Sequence, residues 1–118
     1  MYSIGIDLIK HTRFEKLKKN LLFLEKVFNK SELDYIEKRD FNNSTIAGLY
    51  AAKEAFLKSI KKGINDYSLK DIEIMHDDNN APYVELHNEL KKLYNRNSIS
   101  ISISHDGDYT TSICLIEL

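Results

Sequence analysis

The sequence predicts an α+β domain, a small mixed helix and antiparallel-sheet unit, and three stretches carry that reading. Residues 46–63, IAGLYAAKEAFLKSIKKG, contain no proline and only one internal glycine, near the front. Ala, Leu, Lys and Glu fill the rest, so a helix of about four to five turns is expected. Residues 98–105, SISISISH, alternate without a break, so every Ile faces one side and every Ser the other, as in a half-buried strand. Residues 71–75 and 82–86 alternate in the same way on either side of Asp77-Asp78-Asn79-Asn80, which predicts a hairpin.

The remaining elements follow in chain order. Tyr2 to Ile9 reads as a strand, with Ile4, Ile6 and Leu8 on one face and Ser3, Gly5, Asp7 and Ile9 on the other. Thr12 and Glu15 form a capping-box pattern before Phe14, Leu17, Leu21 and Leu24, which recur at helical spacing. A break at Leu22-Phe23-Leu24 would start a second short helix ending near Phe28. Ser31 as N-cap predicts a short helix to about Arg39. Asp40 to Thr45 is a polar loop leading into the central helix, and Gly63 fits that helix's C-cap. His87 to Tyr94 reads as a short amphipathic helix, and Tyr109 to Leu118 as an apolar closing strand after the turn Asp106-Gly107-Asp108.

Composition limits the function classes. A chain of 118 residues is expected to form one domain with its own core. Seventeen basic against eighteen acidic residues give a net charge of −1, which argues against a general nucleic-acid binder. Many of the seven Tyr and five Phe fall on periodic core positions, so no stacking platform for bases is evident. A single cysteine, Cys114, cannot close an intrachain disulfide and fits a reducing, cytoplasmic setting. No apolar run nears the ~20 residues that span a bilayer, and MYSIGIDLIK lacks the pattern of a secretory signal.

Several side chains ask for an explanation. Asp is a poor strand former, so Asp7 either caps a fraying strand end or points with Gly5 into a site as a metal ligand. On a helical projection Lys53 falls inside the apolar arc of Ile46, Leu49, Tyr50, Phe56 and Ile60, where a charge must be paired or snorkel outward. Glu54 lies off that arc, aligned with Tyr50, Lys58 and Lys61, while Ala47, Ala51 and Ala55 leave room beside it. His105 follows a hydroxyl-lined strand and is either structural or an anion contact. His76 and His87 have no liganding partners at a recognisable spacing and read as surface histidines. The basic run Arg13, Lys16, Lys18, Lys19 is either a solvated face or a docking surface for an acidic partner. Asp7 and Glu54 are thus candidate hard-metal ligands, since Mg²⁺ takes one or two carboxylates and fills its octahedron with water and phosphate. Lys53, Lys58, Lys61 and His105 are candidate phosphate partners. Neither a Walker A loop nor GxGxxG is present.

IGIDLI at 4–9, AAKEAFLKSIKKG at 51–63 and SISISH at 100–105 resemble the three signature blocks of the holo-[acyl-carrier-protein] synthase family, the small-chain branch of the 4′-phosphopantetheinyl transferase superfamily. FNKSELDY at 28–35 and DIEIMHDDNNAPYVE at 71–85 are similar to the intervening segments, so the resemblance spans nearly the whole chain. It implies the fold of those transferases over residues 1–118, assembled as a homotrimer with active sites at subunit interfaces. It also implies transfer of the 4′-phosphopantetheine arm of coenzyme A to a serine of apo-acyl carrier protein, Mg²⁺-assisted, in fatty acid biosynthesis.

The resemblance assigns roles to particular residues. Asp7 and Glu54 hold the metal, and Lys58 joins them as a catalytic residue on the pyrophosphate. Ser104 and His105 contact the coenzyme's phosphates and nucleotide end, with Lys53, Lys61 and Gly63 among the coenzyme-binding residues. Arg13, aided by Lys10, docks the acidic carrier. Two positions depart from the family pattern: Leu49 stands where many relatives have Arg, and Lys61-Lys62-Gly63 where many have Gly-Thr-Gly. The alternative reading is a non-catalytic coenzyme A or nucleotide-binding trimer, which has no need to keep both carboxylates.

Overall fold

The structure, a computed structural model, describes residues 1–118. Strand β1 (Tyr2–Lys10) opens the chain, followed by a 3₁₀ turn and three short helices: α1 (Phe14–Leu17), α2 (Leu21–Val27) and α3 (Lys30–Lys38). The central helix α4 spans Asn43–Ser59. The hairpin β2 (Ile72–His76) and β3 (Pro82–Leu86) comes next, then α5 (Asn88–Tyr94), β4 (Ser98–Asp106) and β5 (Tyr109–Glu117). The larger sheet is antiparallel with order β1-β5-β4, and β2-β3 forms a second, two-stranded sheet. This is the α+β arrangement that the sequence predicts.

Helix α4 lies at the centre. Asn42 caps its start, accepting the Ser44 N–H at 2.8 Å. It is buried on almost every side, unlike a surface helix with one apolar stripe. The small residues on it serve the sheet. A Cβ placed on Gly5 of β1 would lie 2.0 Å from the Ala55 carbonyl oxygen and 2.6 Å from the Ser59 nitrogen. Only glycine permits this backbone-to-backbone approach. Ser3 Oγ adds a bond to the Ser59 carbonyl at 2.6 Å. The room beside Glu54 that the alanines suggest is therefore filled by β1.

Gly5 also decides which face of β1 is buried. Gly5, Asp7 and Ile9 turn toward α4, with Ser112 and Cys114 of β5 opposite Asp7 and Gly5 in register. The more apolar row turns outward: Ile4, Ile6 and Leu8 are 56%, 60% and 67% exposed. Ile113 and Leu115 of β5 continue this outer patch, and Ser98, Ser100, Ser102 and Ser104 complete it on β4.

Several boundaries differ from expectation for local chemical reasons. The break after α1 falls at Lys18–Asn20, because Asn20 caps α2 through the Phe23 N–H at 3.2 Å. Asn29, two residues before Ser31, is the N-cap of α3, in a capping box with Glu32. The C-terminus of α4 is closed by Lys61, which takes a left-handed φ of 64°. The Lys62 N–H reaches the Leu57 carbonyl at 2.8 Å and the Lys61 N–H the Lys58 carbonyl at 3.1 Å, a Schellman closure. Gly63 is therefore not the cap.

Lys53 is also not where a coenzyme contact could form. Its side chain is fully buried, and its ammonium donates to Glu32 Oε1 at 2.7 Å and to the Val27 and Leu69 carbonyls at 2.9 Å each. An ammonium has three N–H groups, so none is left for a ligand. Glu32 is equally satisfied: Oε1 also accepts the Asn29 N–H at 2.8 Å and Oε2 the Ile74 N–H at 2.9 Å. Burial pushes the Glu32 carboxyl up and the Lys53 ammonium down, and the attraction between them opposes both shifts. Removing one partner leaves the other buried and alone. Lys53→Met is accordingly expected to cost about 3–5 kcal/mol of folding stability, measured as a lower midpoint in urea denaturation.

Candidate active site

Two elements bring the carboxylates together. Asp7 sits two residues past Gly5 on the same face of β1, so the close approach at Gly5 presses it against the last turns of α4. There Lys58 Nζ lies 3.1 Å from Asp7 Oδ1 and donates to the Ile6 carbonyl at 3.1 Å. Lys58 remains half exposed, whereas Asp7 is only 13% exposed. Asp7 Oδ2 is buried and has no hydrogen-bond partner. An ionised oxygen in that position is costly unless something binds it.

Glu54 stands one turn before Lys58 and is half-buried. Burial pushes its carboxyl up, the charge of Asp7 adds to the rise, and the Tyr50 hydroxyl, Lys58 and Arg13 pull it back. Two carboxylates close enough to repel, one with a buried unpartnered oxygen, form a site whose charge awaits a cation. No third His, Cys, Asp or Glu is gathered with them. That donor set fits Mg²⁺, which needs few carboxylates and keeps water and phosphate oxygens.

Tyr50 and Arg13 complete this region. Arg13 Nη2 donates to the Tyr50 hydroxyl at 3.3 Å, and its guanidinium lies 5.0 Å from the Tyr50 ring centroid. The sequence aligns Tyr50 with Glu54 at a spacing of four but gives it no role at the site. Lys10 is exposed at the end of β1, its ammonium 5.9 Å from the Tyr109 ring. Lys61 is exposed just beyond α4. The Gly63 N–H is already occupied, donating to Asp66 Oδ2 at 2.7 Å.

Ser104 and His105 are not joined to the carboxylates within one chain. Asp7 pairs with Ser112, and Ser112 pairs with Ile103, so β5 lies between the two groups. Two strand spacings separate β1 from β4 by roughly 10 Å. His105 instead opens on a cleft of about 290 Å³ that it shares with Tyr35, Arg39, Leu49, His76 and Asn80. In that cleft His76 stacks on Tyr35 with ring centroids 4.0 Å apart, and the Arg39 guanidinium lies 3.7 Å from the same ring. Burial, then Arg39, push the His76 imidazole toward its neutral form. His87 bonds Glu73 at 2.8 Å. Both histidines lie half-exposed at the surface, as expected, but each has a partner, Tyr35 for His76 and Glu73 for His87.

A buried carboxylate paired with a lysine beside a raised glutamate defines a centre suited to metal-assisted chemistry on a phosphate. Comparison with known proteins gives that centre a family. The profile of the 4′-phosphopantetheinyl transferase superfamily matches residues 3–114. The chain is 39% identical over 120 residues to a holo-[acyl-carrier-protein] synthase of Caldicellulosiruptor saccharolyticus, covering 99% of this chain and 97% of that one. The holo-[acyl-carrier-protein] synthase of Fusobacterium nucleatum is 38% identical over 118 residues, covering 97% of each chain. Among solved structures, the Helicobacter pylori holo-[acyl-carrier-protein] synthase in complex with coenzyme A superimposes with a TM-score of 0.85 at 34% identity. That alignment covers 97% of this chain and 99% of the other. The chain belongs to the 4′-phosphopantetheinyl transferase superfamily.

The carboxylate pair also makes a prediction for the metal-free protein. Glu54 binds its proton more tightly folded than unfolded, so its contribution to stability is present below the ordinary glutamate value of 4.5 and is lost as pH rises through the raised folded value. Glu54→Gln removes that loss. In chelator-containing buffer the variant is expected to melt above the parent at pH 7 and level with it near pH 4, as thermal unfolding across the range will test.

Proposed function

We propose that residues 1–118 act as one domain that transfers the 4′-phosphopantetheine arm of coenzyme A to a serine of apo-acyl carrier protein, in the cytoplasm and in fatty acid biosynthesis. The products are holo-acyl carrier protein and adenosine 3′,5′-bisphosphate. The observation that carries this reading is the meeting of Asp7, Glu54 and Lys58 in a chain so similar to the synthases above.

Asp7 and Glu54 would hold a Mg²⁺ ion, whose charge neutralises pyrophosphate oxygens when bound. The buried, unpartnered Asp7 Oδ2 supports that assignment. Lys58, half exposed above Asp7, meets the pyrophosphate and offsets charge on the departing adenosine bisphosphate. Ionised Glu54, acting through an intervening water, would accept the proton of the carrier serine. The serine oxygen bonds to the β-phosphorus as the phosphorus–oxygen bond to the leaving group breaks. Arg13 and Lys10, three residues apart at the rim, engage the acidic surface of the carrier.

The working unit in this proposal is a homotrimer. The outer row Ile4, Ile6, Leu8, Ile113 and Leu115 is a contiguous apolar patch of the kind that marks an interface. Because one chain keeps Ser104 and His105 apart from Asp7, coenzyme A would lie between the carboxylates of one copy and the His105 cleft of the next.

Two measurements test these readings. Intact-mass analysis of apo-acyl carrier protein incubated with the protein, coenzyme A and Mg²⁺ is expected to show a phosphopantetheine-sized gain. Chelator should abolish it, and Glu54→Ala should slow it by about 10²–10³-fold. Coenzyme A binding without any gain would reject transfer in favour of the non-catalytic reading. Light scattering on the eluting protein should give about three times the 13.7 kDa chain. Ile6→Glu, at an exposed outer position that no core contact needs, should return the folded single chain.

A further inference from the structure

We infer that Arg39, braced by Tyr35 and Asn80, is the residue that recognises the 3′-phosphate of coenzyme A and so separates it from coenzymes that lack this group. This rests on the transferase reading above and deepens it. The brace is visible in the geometry. The Arg39 guanidinium lies 3.7 Å from the centroid of the Tyr35 ring, and the His76 imidazole stacks on the same ring at 4.0 Å and 5°. Two groups this close to one ring cannot share a face, so Tyr35 is held between them. Arg39 Nη2 also donates to Asn80 Oδ1 at 3.4 Å, and the Tyr35 hydroxyl donates to the same oxygen at 3.3 Å. Asn80 is fixed in turn by the hairpin, where it takes a left-handed φ of 62° and its N–H reaches the Asp77 carbonyl at 2.9 Å.

The brace leaves the binding edge of Arg39 free. Stacking uses the face of the guanidinium, and Asn80 takes one of its five N–H groups; the other four have no acceptor in the protein. Arg39 belongs to no ion pair, and no acidic residue lines the cleft. His76 is held toward its neutral form, which leaves Arg39 as the cleft's permanent charge. A planar cation fixed against an aromatic ring, with its edge open, suits a phosphate gripped by two parallel bonds. The choice of phosphate follows from the rest of the site. The pyrophosphate belongs with Asp7, Glu54 and Lys58, so the phosphate left for the His105 cleft of the next copy is the one on the ribose 3′ oxygen. Leu49, which stands where many relatives have Arg, lines the same cleft. Its guanidinium therefore comes from α3 and not from the central helix.

Calorimetric titration of coenzyme A and of 3′-dephospho-coenzyme A into the full protein with Mg²⁺, without carrier, tests the assignment. The parent is expected to bind coenzyme A about 10–100-fold more tightly than the dephospho form. Arg39→Gln should remove most of that preference by weakening coenzyme A alone. Arg39→Lys, which keeps the charge but not the fork, should fall between the two. Arg39 is exposed, so both variants should keep the parent's melting temperature. Equal losses for the two ligands in Arg39→Gln would make the arginine a structural group and overturn the proposal. Unchanged coenzyme A affinity in that variant would overturn it too, as would a parent that does not distinguish the ligands. The readout is independent of the chemistry. A parent that prefers coenzyme A through Arg39 yet adds no mass to the carrier would defeat the transferase reading and leave this assignment standing.

Discussion

The structure is organised by one buried ion pair. Lys53 Nζ and Glu32 lie 2.7 Å apart with no exposure on either side chain. Between them they collect the end of α2 at Val27, the start of α3 at Asn29, the segment before β2 at Leu69 and the first half of β2 at Ile74. Each of these backbone groups completes the bonding of one of the two charges, which is the condition under which burying them can be tolerated. The pair therefore fixes the rotation of α4 about its own axis. Because adjacent helix residues differ by about 100°, locking Lys53 into this knot aims Glu54 away from it, toward β1. A lysine followed by a glutamate thus divides its labour: one holds the helix and the other is presented by it.

Much of this was legible in the residues. The hairpin about Asp77–Asn80 and the strict alternation of β4 appear where the periodicity puts them, and the central helix exists as expected, although it begins at Asn43, inside the stretch that reads as a polar loop, and ends at Ser59. That Lys53 had to be paired was also legible, but its partner was not. Glu32 lies twenty-one positions away in a helix that looked as though it began at Ser31. The side of β1 that packs inward was hidden for a related reason. Hydrophobicity favours burying Ile4, Ile6 and Leu8, yet the close approach to Ala55 admits only the glycine face. A steric requirement of α4, invisible in β1 alone, overrode the hydrophobic rule. The cleft of Tyr35, Arg39 and His76 was missed likewise, since it depends on how the hairpin returns to α3.

The carboxylate site shows the opposite economy from the knot. Around Lys53 every donor and acceptor is satisfied; around Asp7 one buried oxygen is left without a partner and the neighbouring glutamate is held toward its neutral form. Such local frustration lowers the stability of the empty protein, a cost commonly found at functional sites. It is sustained by the rigid contact at Gly5 and by the fully satisfied network one residue away on the same helix. A looser scaffold would let Asp7 and Glu54 drift apart and relieve the repulsion without any ligand.

The same constraint explains the two characters of the sheet. With Ser3, Gly5 and Asp7 on the inner face of β1, Ile9 is its only large aliphatic there, and Ile4, Ile6 and Leu8 lie outside. Across the outer face the character changes from aliphatic on β1 and β5 to hydroxyl on β4. The chain thus presents an apolar edge near its carboxylates and a polar edge near His105. A ring of identical subunits that covers the first with a neighbour can bring the second toward the bound coenzyme. In the proposed assembly the close packing that creates the carboxylate site and the surface that completes it have one origin, the glycine at position 5.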